Sequence, residues 1–155
     1  GRLKGIADEL RLPHFDAITS PDQVQIYEMV AADAAGNPTT YLTEMASRMK
    51  DNRLLPCGFR ADGPHASDTG PQGTDGDANF IGGSDRVTYR VPLPKDAPER
   101  TTIVARLLYQ TIPPAWVQAL RPVDAKEAKS FVEMYDAAEK TPEQIAVTVG
   151  FDAPQ

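Results

Sequence analysis

Asp75, Asp77 and Asn79 form a D-x-D-x-N pattern, with Asp68 and Asp85 nearby. Alternating acidic side chains in a turn can aim several oxygens at one hard cation, and Ca²⁺ takes six to eight. Asp75, Asp77, Asn79 and Asp85 are therefore candidate Ca²⁺ ligands. The pattern departs from an EF-hand loop. Phe80 stands where the sharp turn needs glycine, and no glutamate follows at the bidentate position. The composition favours a plainer role, a solvated loop of Asx turns. His14 is the second candidate. It follows Pro13 in an irregular segment, and a neutral imidazole there can ligate a haem iron carried by a partner. The plainer alternative is a surface or hydrogen-bonded histidine. His65 falls in the acidic loop and is expected to face solvent.

Other chemistry is thinner. Cys57 is the one cysteine, so no disulfide, CxxC or CxxCH forms within the chain. Nothing around it marks a nucleophile. Tyr109, Trp116 and Tyr135 can line a sugar-binding or docking surface, but their placement favours core packing. There is no G-x-S-x-G, no H-E-x-x-H and no phosphate-cradling glycine loop. Nothing sets two carboxylates face to face. The expected protein is not an enzyme.

These residues need elements to position them. Val24 to Val30 reads as a strand of mixed parity, Gly36-Asn37-Pro38 as a turn, and Thr39 to Met45 as a returning hairpin arm with some helical character. Lys50 to Arg53 reads as a polar turn. Residues 60–79 lack apolar periodicity and form a long surface loop. Gly82 to Asp85 is a tight turn, and Val87, Tyr89 and Val91 alternate as a strand. Thr101 to Gln110 carries apolar groups on both faces, the pattern of a central, doubly covered strand. Pro113 and Pro114 end it and open a short helix over Ala115 to Leu120. Asp124 is the expected N-cap of the best helix, about residues 124–140, where Ala128, Phe131, Val132 and Tyr135 stack at helical spacing. Ile145, Val147 and Val149 alternate as a last strand.

The fold class is mainly β: an immunoglobulin-like antiparallel β-sandwich with a C-terminal α-helix. The strands are few for a closed sandwich, so strands from another segment or chain are expected to complete it. The expected organisation is an N-terminal extension (1–20), one domain (21–150) and a tail (151–155). The chain has 155 residues, 41% hydrophobic and 25% charged, enough for one core. Its 14 prolines and 11 glycines favour turns and loops over a helical bundle. A net charge of −6 without a basic run argues against nucleic acid as partner. No apolar run approaches the ~20 residues of a membrane span. The start at Gly1 rather than Met is expected of a processed or excised piece.

Five stretches in order carry a resemblance. They are Pro13 to Asp16; Asp22 to Glu28; Lys50 to Pro56 with Gly58-Phe59; Asp77 to Asp85; and Leu108 to Ile112. Together they resemble the C-terminal region of bacterial multihaem c-type cytochromes, over about residues 13–150. The resemblance implies an immunoglobulin-like β structure and a secreted, periplasmic or extracellular protein associated with electron transfer. The family's CxxCH segments are absent here, so no haem is covalently bound in this chain. Haem c is expected on a haem-bearing cytochrome domain or subunit that is its partner. The expected role is a structural or docking domain of that system. The alternative is an independent β-sandwich binding module, Ca²⁺-stabilised and binding protein or carbohydrate.

Overall fold

The computed structural model describes residues 12–93, 95–96 and 101–152, and the chain falls into two compact units, residues 1–91 and 92–155. The sequence had pointed to one domain over 21–150. The expected amphipathic start around Ile6 and Leu10 lies outside the described residues.

The first unit is built on short strands. β1 (Ala17–Ile18) pairs in parallel with β5 (Thr88–Tyr89). β2 (Met29–Ala32) is the centre of an antiparallel sheet, flanked by β3 (Pro38–Thr39) and β4 (Ser47–Asp51). The β2–β3 connection is the turn the glycine and proline announce. Asp33 Oδ1 accepts the N–H groups of Ala35 and Asn37, and Gly36 takes the left-handed φ of +79°. A 3₁₀ turn at Leu42–Glu44 then leads into β4.

Three expectations shift here. Residues 24–28 lie in no strand, and the paired strand begins at Met29. The expected hairpin arm over Thr39 to Met45 is one paired residue, Thr39, followed by a 3₁₀ turn. Lys50 and Asp51 are not a polar turn; they are the buried end of β4. Their polar side chains find buried partners, which composition cannot reveal.

Residues 60–79 form the expected irregular stretch, with one short helix, α1 (Ala66–Thr69). The stretch is fastened to the sheet, because Asp51 and Gln72 exchange both backbone hydrogen bonds at 2.9 Å. The apolar core of this unit is small: Ile18, Ala31, Ala32 and Phe80.

The second unit pairs β6 (Thr101–Tyr109) with β7 (Glu143–Asp152) as an antiparallel ribbon. Its register shifts between Leu107 and Leu108, leaving Ile145 as the extra residue on β7. Two helices lie between the strands in sequence, α2 (Pro114–Leu120) and α3 (Lys126–Ala137). Proline at the first turn of α2 matches the expectation. Asp124 is not the N-cap of α3. That position is Ala125, without a side-chain cap, and the Asp124 carboxylate instead accepts Lys129 Nζ at 2.5 Å. Among the described residues of this unit, Val117, Ala119 and Ala128 are the buried apolar ones.

The described residues carry more strand than helix, 26% against 20%, in three small sheets. No described helix is long and apolar enough to cross a membrane.

Candidate functional site

Four of the five sequence stretches meet around His14. Pro13 leads into the site without regular secondary structure, and Lys50 Nζ fixes that entry by donating to the Leu12 carbonyl at 2.8 Å. The same ammonium donates to the Ile26 carbonyl (2.9 Å) and to Glu28 Oε1 (3.2 Å). Lys50 is buried, and desolvation lowers its pKa against the pull of Glu28.

Asn52 is completely buried. Its Oδ1 accepts the Glu28 N–H at 2.9 Å, and its Nδ2 donates to the Ile26 carbonyl at 2.9 Å and towards His14 Nδ1 at 3.1 Å. Gln25 works the same way. Its Oε1 accepts the Phe15 N–H at 2.9 Å, so its NH₂ end faces His14 Nδ1 at 2.7 Å. Backbone partners thus orient both amides, and both direct donors at one ring nitrogen. Nδ1 must be the acceptor, and Nε2 carries the proton. That proton goes to Asp77 Oδ2 at 2.9 Å. The Phe80 ring stands edge-on to the imidazole, 5.0 Å between centroids.

Asp77 is as buried as His14, with side chains 2% and 3% exposed. Burial alone would push its carboxyl up. The His14 N–H and the backbone N–H groups of Asn79 and Phe80 outweigh burial and hold it below the usual carboxylate range. Asp85 accepts the Tyr27 hydroxyl at 2.6 Å, and burial together with that bond pushes the Tyr27 phenol up. Asp51, at the end of β4, receives a bidentate grip from Arg53 at 2.8 Å and a bond from Arg48 at 3.0 Å. Burial raises its pKa, but these arginines lower it by more.

The glycine pair in the Asp77 to Asp85 stretch has a packing reason. A Cβ at Gly82 would sit 3.0 Å from the Phe59 carbonyl oxygen and 3.2 Å from that of Pro56. Gly83 holds a φ of +89°, and a Cβ there would meet Cys57 Sγ at 2.7 Å. The turn therefore presses directly on the Pro56 to Phe59 loop.

Of the candidate Ca²⁺ ligands, Asp77 and Asp85 come together with His14, one ligand atom from each within 4.8 Å of the others. Asp75 is exposed and not part of this cluster. Asn79 spends its amide on Asp16 (3.0 Å) and on the Arg86 N–H (2.6 Å). The trio does not fit Ca²⁺, which wants six to eight oxygens. Both Asp77 oxygens already accept N–H groups, and ligation through His14 Nε2 would move its proton to Nδ1, where two amide donors already point. The same closure leaves His14 no free nitrogen for a partner's haem iron.

Sequence reasoning missed Gln25, Lys50 and Asn52. Their signal was their place inside the quoted stretches, not their residue type. Cys57 is exposed, as are His65 and Trp116. No protein-family model, curated protein or solved structure matches this chain.

Proposed function

We propose that this chain is a non-catalytic docking unit of a secreted, periplasmic or extracellular multihaem cytochrome system, completing a β-sandwich with strands of a haem-bearing partner. The observation that carries this reading is the β6–β7 ribbon. Ile103, Val104, Leu107, Leu108 and Tyr109 on one strand and Ile145, Val147 and Val149 on the other are 41% to 60% exposed. Pairing puts Val104, Val149 and Val147 on one face, and Ile103, Leu107 and Tyr109 on the other.

An isolated two-stranded ribbon is marginal in water, and apolar residues on both faces call for cover on both. The eight side chains leave on the order of 800 Å² exposed, about one partner's share of a standard interface. That area is divided between opposite faces, so two copies meeting face to face would cover only half of it. A partner that adds strands and a second layer covers both, in an immunoglobulin-like arrangement.

The haem association rests on the five ordered stretches. The convergence of four of them on one network supports reading those four together. Covalent haem attachment needs two thiols, and this chain has one, so the haem belongs to the partner.

The test is purification of the native assembly followed by its absorption spectrum and cross-linking from cysteines placed at Val147 or Val149. A c-type haem spectrum, with cross-links from the ribbon to the haem-bearing chain, is expected. A haem-free monomer as the native form would overturn the reading.

A further inference from the structure

At one end of the ribbon the second unit folds an open cleft of about 340 Å³. It lies between the end of β6, the C-terminal end of α3 and the start of β7. Its aromatic surface is Tyr109 and Tyr135, and its carboxylates are Glu139 and Glu143. Tyr109 is half exposed, and Glu143 is its cross-strand partner. Among the described residues, Lys140 is the one cation lining the cleft. Its Nζ donates to the Asp136 and Ala138 carbonyls at 2.9 and 3.3 Å and stands 5.2 Å from the centre of the Tyr135 ring. That charge is committed to the end of α3. Glu139 accepts the Thr141 hydroxyl at 2.9 Å, while no ion pair among the described residues engages Glu143.

We propose that this cleft binds the side-chain cation of a partner peptide, a lysine or arginine, its head between Glu139 and Glu143 and its stem on Tyr109. Tyrosine faces attract cations, and Lys140 over Tyr135 is an internal instance of that chemistry in the same cleft. Among the described residues, an anionic ligand would meet two carboxylates and no uncommitted cation. The net charge of −6 also favours a basic partner. Tyr109 belongs to both the cleft and the ribbon, so the basic side chain is read as belonging to the chain that covers the ribbon, and the probes below test the cleft in the isolated chain.

The experiment is a ¹H–¹⁵N titration of the full 155-residue chain at low salt. The probes are N-acetyl-lysine methylamide, N-acetyl-arginine methylamide, the uncharged N-acetyl-norleucine methylamide and n-butylammonium. Both cationic amino-acid probes are expected to shift Gln110, Thr111, Thr141 and Glu143. Glu143→Gln and Tyr109→Leu, both surface changes, should each weaken binding about three- to fivefold. Tighter binding of the blocked lysine than of n-butylammonium supports a peptide ligand, and equal or tighter n-butylammonium overturns it. Equal shifts with the norleucine probe, or unchanged affinity in Glu143→Gln, would overturn the cation site itself.

Discussion

Asn52 and Val149 mark two uses of a β-structure. Asn52 follows β4, is wholly buried, and gives its amide to Glu28, Ile26 and His14. Val149 sits well inside β7 and leaves half its surface in water. The first unit has a small apolar core, and interlocked polar groups, each with its partner, give it definition. The second has the longest strands of the molecule, and they remain open on both faces. A buried polar network specifies one arrangement because each unmade bond is costly. An open apolar ribbon specifies a need for cover without specifying what supplies it.

The largest expected effect that separates the two is at Asn52. Asn52→Ala leaves the Glu28 N–H without its partner, while the Ile26 carbonyl keeps Lys50 Nζ. An unmet buried donor costs about 1–3 kcal/mol, so urea unfolding of the first unit should lose about 2–3 kcal/mol. A loss under about 1 kcal/mol would break the contrast. Gly83→Ala comes next. The left-handed φ and the contact with Cys57 predict a loss of about 1–3 kcal/mol by thermal melt, partly recovered when Cys57→Ala is added.

Acid should affect the first unit before the second. Asp77 and Asp51 both titrate below the ordinary carboxylate value. The unfolded chain therefore takes up protons first as pH falls through about 4, and stability present above that value is lost as pH drops through the folded values. Asp77→Asn should flatten this acid limb in pH-dependent denaturation and cost about 1–2 kcal/mol at neutral pH. An unchanged limb would show that the His14–Asp77 pair is not its source. A long-range ¹H–¹⁵N spectrum at neutral pH should show His14 as the Nε2–H tautomer. The opposite tautomer would undo the orientation of Gln25 and Asn52. The smallest effect belongs to the ribbon. Val147→Thr and Val149→Thr should change the stability of the isolated chain by under about 0.5 kcal/mol.

Legibility in the sequence follows the same divide. β6, β7 and both helices of the second unit were readable because period-2 alternation, a proline at N1 and a helical apolar stripe are local signals. The apolar residues on both faces of β6 read as a central, doubly covered strand, but among the described residues it pairs with β7 alone and both faces are exposed. In the first unit, two-residue strands such as Ala17–Ile18 leave no periodicity to read. Lys50 to Arg53 looked like a turn because charge and amide usually seek water; here Leu12, Ile26 and Glu28 supply what water would. The acidic loop drew attention to Asp77 and Asp85, and His14 was singled out separately. Their meeting is set by contacts between residues 63 positions apart, and no local pattern records it.

Hydrogen exchange of the isolated chain, followed by mass spectrometry, tests most directly whether one unit is finished and the other open. The amides of Glu28, Asp51, Asn52 and Gln72 should exchange slowly, through unfolding of the first unit, while those of Ile103 to Leu108 and Ile145 to Val149 exchange orders of magnitude faster. Ribbon amides protected as strongly as those of the network would contradict the account.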